Sequence, residues 1–335
     1  MISARPSYQR AAQRGLLLLT WAATMAAPAM AAPVVSFAVR EGALDVRVDG
    51  KRVAEYVWQD ADLPRPYFRQ LSTADGLPAS RNYPTDPVAD KGNDDHATFH
   101  PGAWLAFGDA AGADFWRNKA RVRHITFLVP PSGGEGFGRF AVVNAYETVD
   151  NPLRTLFMET CTYGIAADAN GYVIAAESES RPEGDAFAFG DQEEMGFGVR
   201  LATPLSVKHG GGQIRNSAGG EQEAGTWGKA ADWCAGFGTI GGRTVGLSVM
   251  ASPDNFRPSW FHSRDYGLIV ANPFGKKAMT GPRDSAVTPD ATPVPADGLL
   301  RVGFGVYVFS APGDAEPDFA GMYDRYLAAR RTLRN

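Results

Sequence analysis

The sequence contains very little cysteine. Cys161 and Cys234 are the two cysteines in 335 residues. Two are too few for a disulfide framework, although an oxidising compartment would permit one bridge between them. Each lies beside aromatic or apolar residues, so a pair of buried free thiols is at least as well supported as a bond. A catalytic thiol is the least favoured interpretation.

The sequence also lacks the features that indicate two common classes of partner. After residue 31, no apolar run approaches the roughly 18 residues that a membrane-spanning helix needs. The formal net charge is −4, and the 33 basic residues form no stripe along the chain. We therefore expect neither a membrane span nor binding to nucleic acid.

The first 31 residues have the pattern of a secretory signal peptide. Arg5, Arg10 and Arg14 precede an apolar run over residues 16–27, and Ala29-Met30-Ala31 offers a small-x-small cleavage site. This pattern predicts a periplasmic or secreted protein that is cleaved near Ala31. The remaining residues, 32–335, are expected to form a single domain.

Short alternating segments dominate the rest of the sequence. Between Val34 and Trp58, apolar residues alternate with polar ones between turn residues, which is typical of antiparallel strands. Asn170-Gly171 lies between two further alternating segments and predicts a hairpin. Helical character is confined to residues 318–331, and residues 276–297 are predicted to form a mobile loop. The predicted fold class is all-β, a large antiparallel β-sandwich with a short C-terminal helix.

The segment Asp94–Trp116 carries two of the five histidines among acids and tryptophans. His96 and His100 are four residues apart, and a helical turn would bring their rings to about 6 Å. Neutral imidazoles serve as general acids or bases and as metal ligands, so a divalent metal is a possible cofactor; hydrogen-bonded loop histidines are the alternative. Trp104 and Trp116 would offer flat faces to a ring-shaped ligand or fill the core.

A glycine-rich turn ahead of a predicted strand carries Asp191, Glu193 and Glu194. Acid-rich turns are usually just solvated, but two carboxylates aimed at one point would suit glycoside cleavage, as acid and as base or nucleophile. Glu159 lies within another predicted strand. It is either a charge on a solvated face or a carboxylate that points into a cleft.

The segment Asn255–Tyr266 is the second candidate region. In an extended conformation, Trp260, His262, Arg264 and Tyr266 lie on one face. This face is too polar for a core and suits a hydroxyl-rich ligand, through aromatic stacking and guanidinium donors.

Several motifs that follow one another in a fixed order resemble the PmoA-like proteins. They are PRPYF with SRNYP, DHATFHPGAWLAFGDAAGADFWRNKA, FGDQEEMGFGVRLATPL, GTWGKAADWC and NFRPSWFHSRDYGLIVANPFG, over about residues 49–326. The resemblance implies a supersandwich like that of galactose mutarotase, in exported proteins associated with carbohydrate use. It implies these site residues: His96, His100, Trp104, Asp191, Glu193, Glu194, Arg257, His262, Arg264 and Asp265.

The same resemblance bears on metal chemistry. Many PmoA-like proteins carry DHPHHRGLW where this chain has His96-Ala97-Thr98-Phe99-His100, and this departure weakens a three-histidine metal site. The family label of a methane oxygenase implies a copper-dependent enzyme. The lack of a membrane span in the mature chain and of methionine or cysteine ligands near the histidines makes that function the least favoured.

The leading hypothesis is an exported carbohydrate-active enzyme that cleaves a glycosidic bond in a carbohydrate or glycoside substrate, by hydrolysis or elimination. The alternatives are a non-catalytic sugar-binding protein and a sugar epimerase or mutarotase. The predicted catalytic residues are His96, His100, Asp191, Glu193, Glu194 and His262, with His96 and His100 as the ligands of any metal. The predicted substrate-binding residues are Arg81, Trp104, Trp116, Arg257, Trp260, Arg264 and Asp265.

Overall fold

The computed structural model describes residue 1 and residues 31–281, 290–313 and 315–334. The predicted signal peptide falls on residues that lie almost wholly outside these ranges, as does part of the predicted loop 276–297. The unit Ala32–Asn335 is built from two large antiparallel sheets and ends in a helix. The prediction of an antiparallel β-sandwich with a short C-terminal helix is therefore confirmed.

The described residues form 19 strands, which we number along the chain. They are β1 (Val35–Arg40), β2 (Ala43–Val48), β3 (Lys51–Val57), β4 (Tyr67–Arg69), β5 (Ala103–Phe107), β6 (Arg121–Gly133), β7 (Phe137–Glu147), β8 (Thr155–Asp168), β9 (Gly171–Pro182), β10 (Phe187–Phe189), β11 (Met195–Arg200), β12 (Gln213–Asn216), β13 (Lys229–Ala230), β14 (Trp233–Ile240), β15 (Arg243–Ala251), β16 (Trp260–Arg264), β17 (Leu268–Asn272), β18 (Thr292–Val294) and β19 (Leu300–Pro312).

The strands form two large sheets and one small one. The first large sheet has the order β1-β2-β3-β4-β5-β11-β17-β16-β13, and the second has the order β12-β14-β15-β19-β9-β8-β7-β6. Strands β10 and β18 pair separately. The hairpin predicted at Asn170-Gly171 joins β8 to β9, with Asp168 opposite Gly171.

Aromatic side chains from both large sheets meet in the core between them. The ring of Tyr56 on β3 lies 5.3 Å from that of Tyr163 on β8, and Phe68 on β4 lies 5.2 Å from the same ring. Successive side chains of a strand point to opposite faces, so a central strand can contribute to two cores. On β9, Tyr172 and Ile174 belong to this inner core.

The described residues also form a 3-10 helix (Thr203–Leu205) and four α-helices: α1 (Val207–Gly210), α2 (Gln222–Thr226), α3 (Lys276–Thr280) and α4 (Phe319–Arg334). Helix α4 buries Phe319 and Tyr326 in a second apolar cluster that includes Val173 and Ala175 of β9. Helix α3 and strand β18 lie where the sequence predicts a mobile loop over residues 276–297, so that prediction is wrong for both segments. Within the described ranges, no helix is long and apolar enough to cross a membrane.

Three residues whose environment the sequence leaves open, Cys161, Cys234 and Glu159, lie in the core. Cys161 and Cys234 are buried free thiols, and burial raises the pKa of each. Glu159 is also buried; it accepts hydrogen bonds from Asn144 Nδ2 at 2.9 Å and Ser178 Oγ at 2.6 Å, and burial raises its pKa. Glu159 is therefore neither on a solvated face nor in an open cleft, as the sequence had suggested, because two core side chains satisfy its carboxyl group.

Candidate functional site

A tight turn brings His96 and His100 together just before β5. The His100 amide donates to the His96 carbonyl at 2.9 Å, and the two ring centroids are 5.3 Å apart with a 25° angle between the planes. The backbone of His96 has φ +50, which allows the chain to reverse here. The expected pairing of the two rings through one turn is thus present in the structure.

The two rings continue into a column of stacked aromatic groups. The ring of His100 lies 5.2 Å from that of Trp104 at an angle of 10°, and the ring of Trp116 meets Trp104 edge-on at 5.4 Å. Trp104 and Trp116 are 1% and 0% exposed. This burial corrects the prediction that their faces receive a substrate. Both rings fill the core and contact the buried ring of His100.

His96 is the exposed end of this column. Its side chain is 49% exposed, and its Nδ1 donates to Asp95 Oδ2 at 2.7 Å. In this tautomer Nε2 carries a lone pair. No described residue hydrogen-bonds Nε2, so the structure leaves a fixed imidazole with a proton-accepting nitrogen that faces solvent.

Two buried arginines hold the turn in place. Arg200, at the end of β11, donates to His100 Nδ1 at 3.1 Å and also binds the carboxylate of Asp95 and the amide oxygen of Asn93. Arg81 donates to the carbonyls of Asn93, Asp95 and His100 at 2.7 to 3.0 Å. Arg81 is 0% exposed, so the prediction that it contacts substrate is wrong; it organises the backbone of the turn.

Arg200 was not among the predicted site residues. A single cation at the end of an apolar strand, in Met195–Arg200, was the signal that could have identified it, because a buried charge requires partners. Burial by itself would raise the pKa of Asp95, but Arg200 and the hydrogen bond from His96 outweigh burial and lower that pKa. Asp95 therefore remains a carboxylate that orients His96.

His100 is unsuited to proton exchange with a substrate. It is buried, and burial together with the charges of Arg200 and Arg81 holds its pKa well below the ordinary value of 6.5. Its Nδ1 accepts from Arg200, so the ring proton is on Nε2, which has no hydrogen-bond partner in the part of the chain that the structure describes. This placement corrects the prediction of a catalytic His100 and makes it part of the support for His96.

The second predicted region supplies β16, which lies in the same sheet. His262 is 3% exposed, and both of its ring nitrogens are occupied. Arg264 Nε donates to His262 Nε2 at 3.0 Å, so Nδ1 carries the proton and donates to the Glu193 carbonyl at 3.1 Å. Burial, reinforced by Arg264, lowers the pKa of His262 to about 4. The expected catalytic role does not fit this buried, neutral ring; His262 positions Glu193 and Arg264.

Glu193 and Glu194 diverge from the turn before β11. Glu193 Oε2 is 3.5 Å from Arg264 Nη2, and Nη1 of the same guanidinium binds Glu223 Oε1 at 2.8 Å. Glu194 forms an ion pair with Arg117. Burial nevertheless raises the pKa of Glu194, because with the repulsion of Glu193 it outweighs the attraction of Arg117. Glu194 is therefore the carboxyl group here that retains its proton to higher pH.

The two regions approach each other through Arg200 and Tyr266. The guanidinium carbon of Arg200 lies 4.3 Å from the centroid of the Tyr266 ring. A series of contacts thus runs from His96 through Asp95 and Arg200 to Tyr266, and Glu194 lies within electrostatic range of both His96 and Tyr266. We call the surface formed by five residues of these segments the His96–Glu194 face: His96, Glu193, Glu194, Arg264 and Tyr266.

Other predicted residues lie apart from this face or have structural partners. Asp191 accepts the amides of Lys277 and Ala278 at 3.0 and 2.9 Å, at the start of α3. Asp265 accepts the amide of Glu223 at 2.8 Å, at the start of α2. These contacts correct the roles predicted for Asp191 in catalysis and for Asp265 in substrate binding, because both carboxylates fix helix ends.

Trp260 begins β16, the strand next to the edge of the first sheet, and Arg257 lies just before that strand. Arg257 Nη2 lies 3.4 Å from Asp290 Oδ2, and among the described residues no contact of Arg257 involves the His96–Glu194 face. Trp260 is half-buried and pairs with Ala230 across β16 and β13. Among the described residues, neither of these two predicted substrate-binding residues makes a contact with the histidine pair.

In the described ranges, no three histidine, cysteine, aspartate or glutamate side chains are grouped so that they could hold a metal ion. His96 and His100 stack face to face, and His100 Nδ1 already accepts from Arg200. The donor set thus does not fit the divalent metal that the sequence allowed, and we assign no step to one.

The fold is similar to those of several carbohydrate-related proteins at low sequence identity. A GH36 α-galactosidase, AgaA from Geobacillus stearothermophilus, matches with 12% identity and a TM-score of 0.40 over 78% of this chain and 40% of that chain. The galactosidase domain of the α-galactosidase-sucrose kinase AgaSK matches with 11% identity and a TM-score of 0.36 over 83% of this chain and 42% of that chain. The chain thus spans about two fifths of these α-galactosidases.

A galactose mutarotase-like protein from Clostridium acetobutylicum also matches, with 6% identity and a TM-score of 0.32 over 83% of this chain and 98% of that chain. No curated protein matches the sequence.

The family comparison corrects the resemblance drawn from the motifs. The family model that matches is not a PmoA-like one, so the expected membership of the PmoA-like proteins is wrong. The match covers residues 43–317, which includes the histidine turn, the acidic turn and β16. The chain belongs to the family described as "Family of unknown function (DUF6807)".

Proposed function

We propose that the protein is a carbohydrate-active enzyme that cleaves a glycosidic bond at the His96–Glu194 face. Glu194 is the general acid and His96 is the general base. One observation carries this proposal: a carboxyl group whose pKa is raised by burial lies within electrostatic range of an exposed imidazole, and Asp95, itself bound by Arg200, holds that imidazole in one tautomer. Pairs of titratable groups whose environments differ in this way are typical of acid and base assignments.

The chemistry follows from the protonation states. Glu194 gives its proton to the glycosidic oxygen as the bond from that oxygen to carbon breaks. In hydrolysis, His96 Nε2 takes a proton from the water that attacks the anomeric carbon. In elimination, Nε2 instead takes a proton from the sugar carbon next to the one that loses the leaving group. Glu193, Arg264 and Tyr266 would bind sugar hydroxyls, since they combine acceptor and donor groups.

A panel of oligosaccharides and glycosides tests the proposal. The purified protein should release new reducing ends by hydrolysis, or an unsaturated sugar that absorbs in the ultraviolet by elimination. The variant Glu194→Gln should lose about 10²- to 10⁴-fold in rate, because it keeps the shape but not the proton. His124→Gln is the matched control, since His124 packs on Trp58 and Phe127 away from the face. Lack of turnover across the panel would contradict the proposal.

One observation favours a second candidate, a sugar mutarotase or epimerase. Asp95, Glu193 and Glu194 each lie against an arginine, but burial and the repulsion of Glu193 raise the pKa of Glu194 despite Arg117, so Glu194 is the carboxyl suited to give up a proton. Exchange of a sugar's anomers requires one acid and one base, not two carboxylates. Nuclear magnetic resonance of free aldoses distinguishes the candidates, because faster exchange of anomers without bond cleavage supports the second one.

Export belongs to the same proposal. The first 31 residues carry the basic, apolar and small-residue pattern of a signal peptide. Sequencing the N-terminus of protein recovered from outside the cytoplasm should find a start near Ala32. An intact N-terminus would contradict export by this route.

A further inference from the structure

A small pocket adjoins the His96–Glu194 face beside Arg264. It has a volume of about 280 Å³ and is lined by Glu223, Ala224, Trp227 and Asp265. Arg264 connects the pocket to the face, because its Nη2 lies 3.5 Å from Glu193 Oε2 while its Nη1 binds Glu223 Oε1 at 2.8 Å. One planar guanidinium thus contacts a carboxylate of the face and a carboxylate of the pocket. A group bound at the face and a group bound in the pocket would therefore be immediate neighbours.

The aromatic and acidic groups of this pocket are accessible from solvent. Trp227 is partly exposed, and the side chain of Glu223 is 31% exposed. Ala224, which lies between them in the chain, is exposed and has a side chain too small to screen the indole. Both Trp227 and Glu223 can therefore contact a molecule that enters the pocket.

Hydrogen bonds hold these two groups in place. The Trp227 amide donates to the Glu223 carbonyl at 2.9 Å, at the end of α2. Glu223 and Asp265 exchange hydrogen bonds: the Glu223 amide donates to Asp265 Oδ1 at 2.8 Å, and the Asp265 amide donates to Glu223 Oε2 at 3.2 Å. A surface that is ordered before binding loses little conformational entropy when a ligand arrives. The pocket is therefore built for contact, and Asp265 acts in it through Glu223.

An indole beside a carboxylate matches the chemistry of a sugar ring. The C–H faces of the sugar pack on a flat aromatic surface, and its hydroxyl groups donate to carboxylate oxygens. Each carboxylate oxygen has two lone pairs, so Glu223 can accept from a ligand while it accepts from Arg264. The guanidinium carbon of Arg264 lies 5.5 Å from the centroid of the Trp227 ring, and its positive charge disfavours a cationic ligand there.

The size of the pocket limits how much of a ligand it can hold. Its volume of about 280 Å³ is close to the lower end of the range of about 300 to 1,000 Å³ that small-molecule sites commonly have. The pocket therefore suits one sugar unit and not a longer segment of a glycan.

We propose that this pocket is a second sugar subsite, so that the preferred ligand is an oligosaccharide of at least two units. One unit lies at the His96–Glu194 face, and the next unit stacks on Trp227 and donates a hydroxyl group to Glu223. The position and chemistry of the pocket come from the structure, whereas the binding of the first unit at the His96–Glu194 face rests on the proposed function.

Binding to a length series tests this inference. The full chain is used with Glu194→Gln, so that bound glycans are not cleaved, on an array of gluco-, galacto-, manno- and xylo-oligosaccharides of one to four units. A recognised disaccharide should bind at least about tenfold more tightly than its monosaccharide, because its second unit reaches Trp227. Addition of Trp227→Ala should weaken disaccharide binding by about 10- to 100-fold. Trp227→Phe should keep most of the gain, since it keeps an aromatic face.

Trp58→Ala is the matched control. Trp58 is also partly exposed, but it packs on His124 and Phe127. It should leave the gain from monosaccharide to disaccharide unchanged within about twofold. Thermal unfolding of each variant confirms that it is folded.

The outcomes separate this inference from the proposed function. If the wild-type chain cleaves no glycoside, a gain with length that is lost in Trp227→Ala still supports the second subsite. If the chain cleaves glycosides, its kcat/KM should rise from an aryl monoglycoside to a disaccharide, and Trp227→Ala should abolish that rise. The inference is overturned if no glycan on the array binds more tightly as a disaccharide than as a monosaccharide. It is also overturned if folded Trp227→Ala keeps the full gain.

Discussion

His96 and His262 are chemically identical side chains that the sequence presents with similar aromatic and charged neighbours. In the structure they differ in burial and in the occupation of their ring nitrogens. His96 is half exposed, and only its Nδ1 has a protein partner among the described residues. His262 is buried, with one nitrogen donating to the Glu193 carbonyl and the other accepting from Arg264. The first ring can exchange a proton with a ligand, whereas the second can hold its neighbours only while it is neutral.

This difference teaches that a histidine is identified as a candidate catalyst by its unoccupied nitrogen, not by the residues beside it in sequence. The neighbours of His96 contact only its buried side: Asp95 fixes the tautomer, His100 stacks on the ring, and Trp104 stacks on His100. The neighbours of His262 surround it. Substitutions at the two positions should therefore affect different properties of the protein.

The largest expected effect is on catalysis. His96→Gln should reduce the turnover of a cleaved substrate by about 10²- to 10⁴-fold, because it removes the proton-accepting nitrogen. The free energy of unfolding should change by no more than about 0.5 kcal/mol, since the side chain is half exposed. Initial-rate assays and urea unfolding measure the two quantities. If His262→Gln, while fully folded, reduced turnover more than His96→Gln, the assignment of the two roles would be reversed.

The next effect is on the support beneath His96. Arg200→Met should reduce the free energy of unfolding by about 3 kcal/mol, because it leaves Asp95, Asn93 and His100 without their shared donor. The loss is expected at the low end of the range for buried pairs, since the side chain of Asp95 is 47% exposed. Urea unfolding measures it, with Arg139→Met as the exposed control. A loss below about 1 kcal/mol would show that Arg200 does not organise the turn.

A third prediction concerns pH and the other histidine. The pKa of His262 is about 4 in the folded chain, against 6.5 for the ordinary side chain. Between these values the unfolded chain binds a proton on His262 more readily than the folded chain does. The contribution of His262 to the free energy of unfolding is therefore fully present above pH 6.5 and is lost as the pH falls through 4. The shift corresponds to about 3 kcal/mol. The lowered pKa of His100 acts in the same direction.

Urea unfolding at a series of pH values checks this prediction. The variant His262→Asn removes the titrating group, so its stability should fall less steeply with acid than that of the wild-type chain. Equal slopes for the two proteins would contradict the neutral, buried state of His262. That result would leave the role proposed for His96 unchanged, because the His96 ring contacts Asp95 and His100 and not His262.

The fold could be predicted from local pattern because side chains alternate along a strand. The alternation of Val35, Phe37 and Val39 and the turn at Asn170-Gly171 each reflect interactions within a few residues. The segment 276–297 was predicted less well, because α3 and β18 are too short to show a period. In α3 the ordering contact comes instead from Asp191, which is 86 positions from Lys277.

The site could be predicted only in part. The spacing of His96 and His100 was sufficient to predict their pairing, since a turn is a local structure. Arg81 was misjudged because its partners are backbone carbonyls, which no residue type reveals. Arg200 was missed because Asp95, which it binds, lies 105 positions away. Whether a polar strand face such as that of His262 is buried depends on segments that are distant in the sequence, such as the one that carries Glu193. The alternation of side chains along the strand contains no information about those segments.

The smallest expected effect concerns Trp104, the buried ring that stacks on His100. Trp104→Phe should reduce the free energy of unfolding by no more than about 1.5 kcal/mol, because it keeps an aromatic face beneath His100 and removes only part of the buried ring. Substrate affinity and turnover should stay within a factor of two or so of the wild-type values, since the indole is 1% exposed and no ligand can reach it. Urea unfolding and steady-state kinetics measure both quantities. A tenfold rise in the Michaelis constant with unchanged stability would return Trp104 to the substrate-binding surface, and it would mean that the ring column, not its exposed end alone, contacts the sugar.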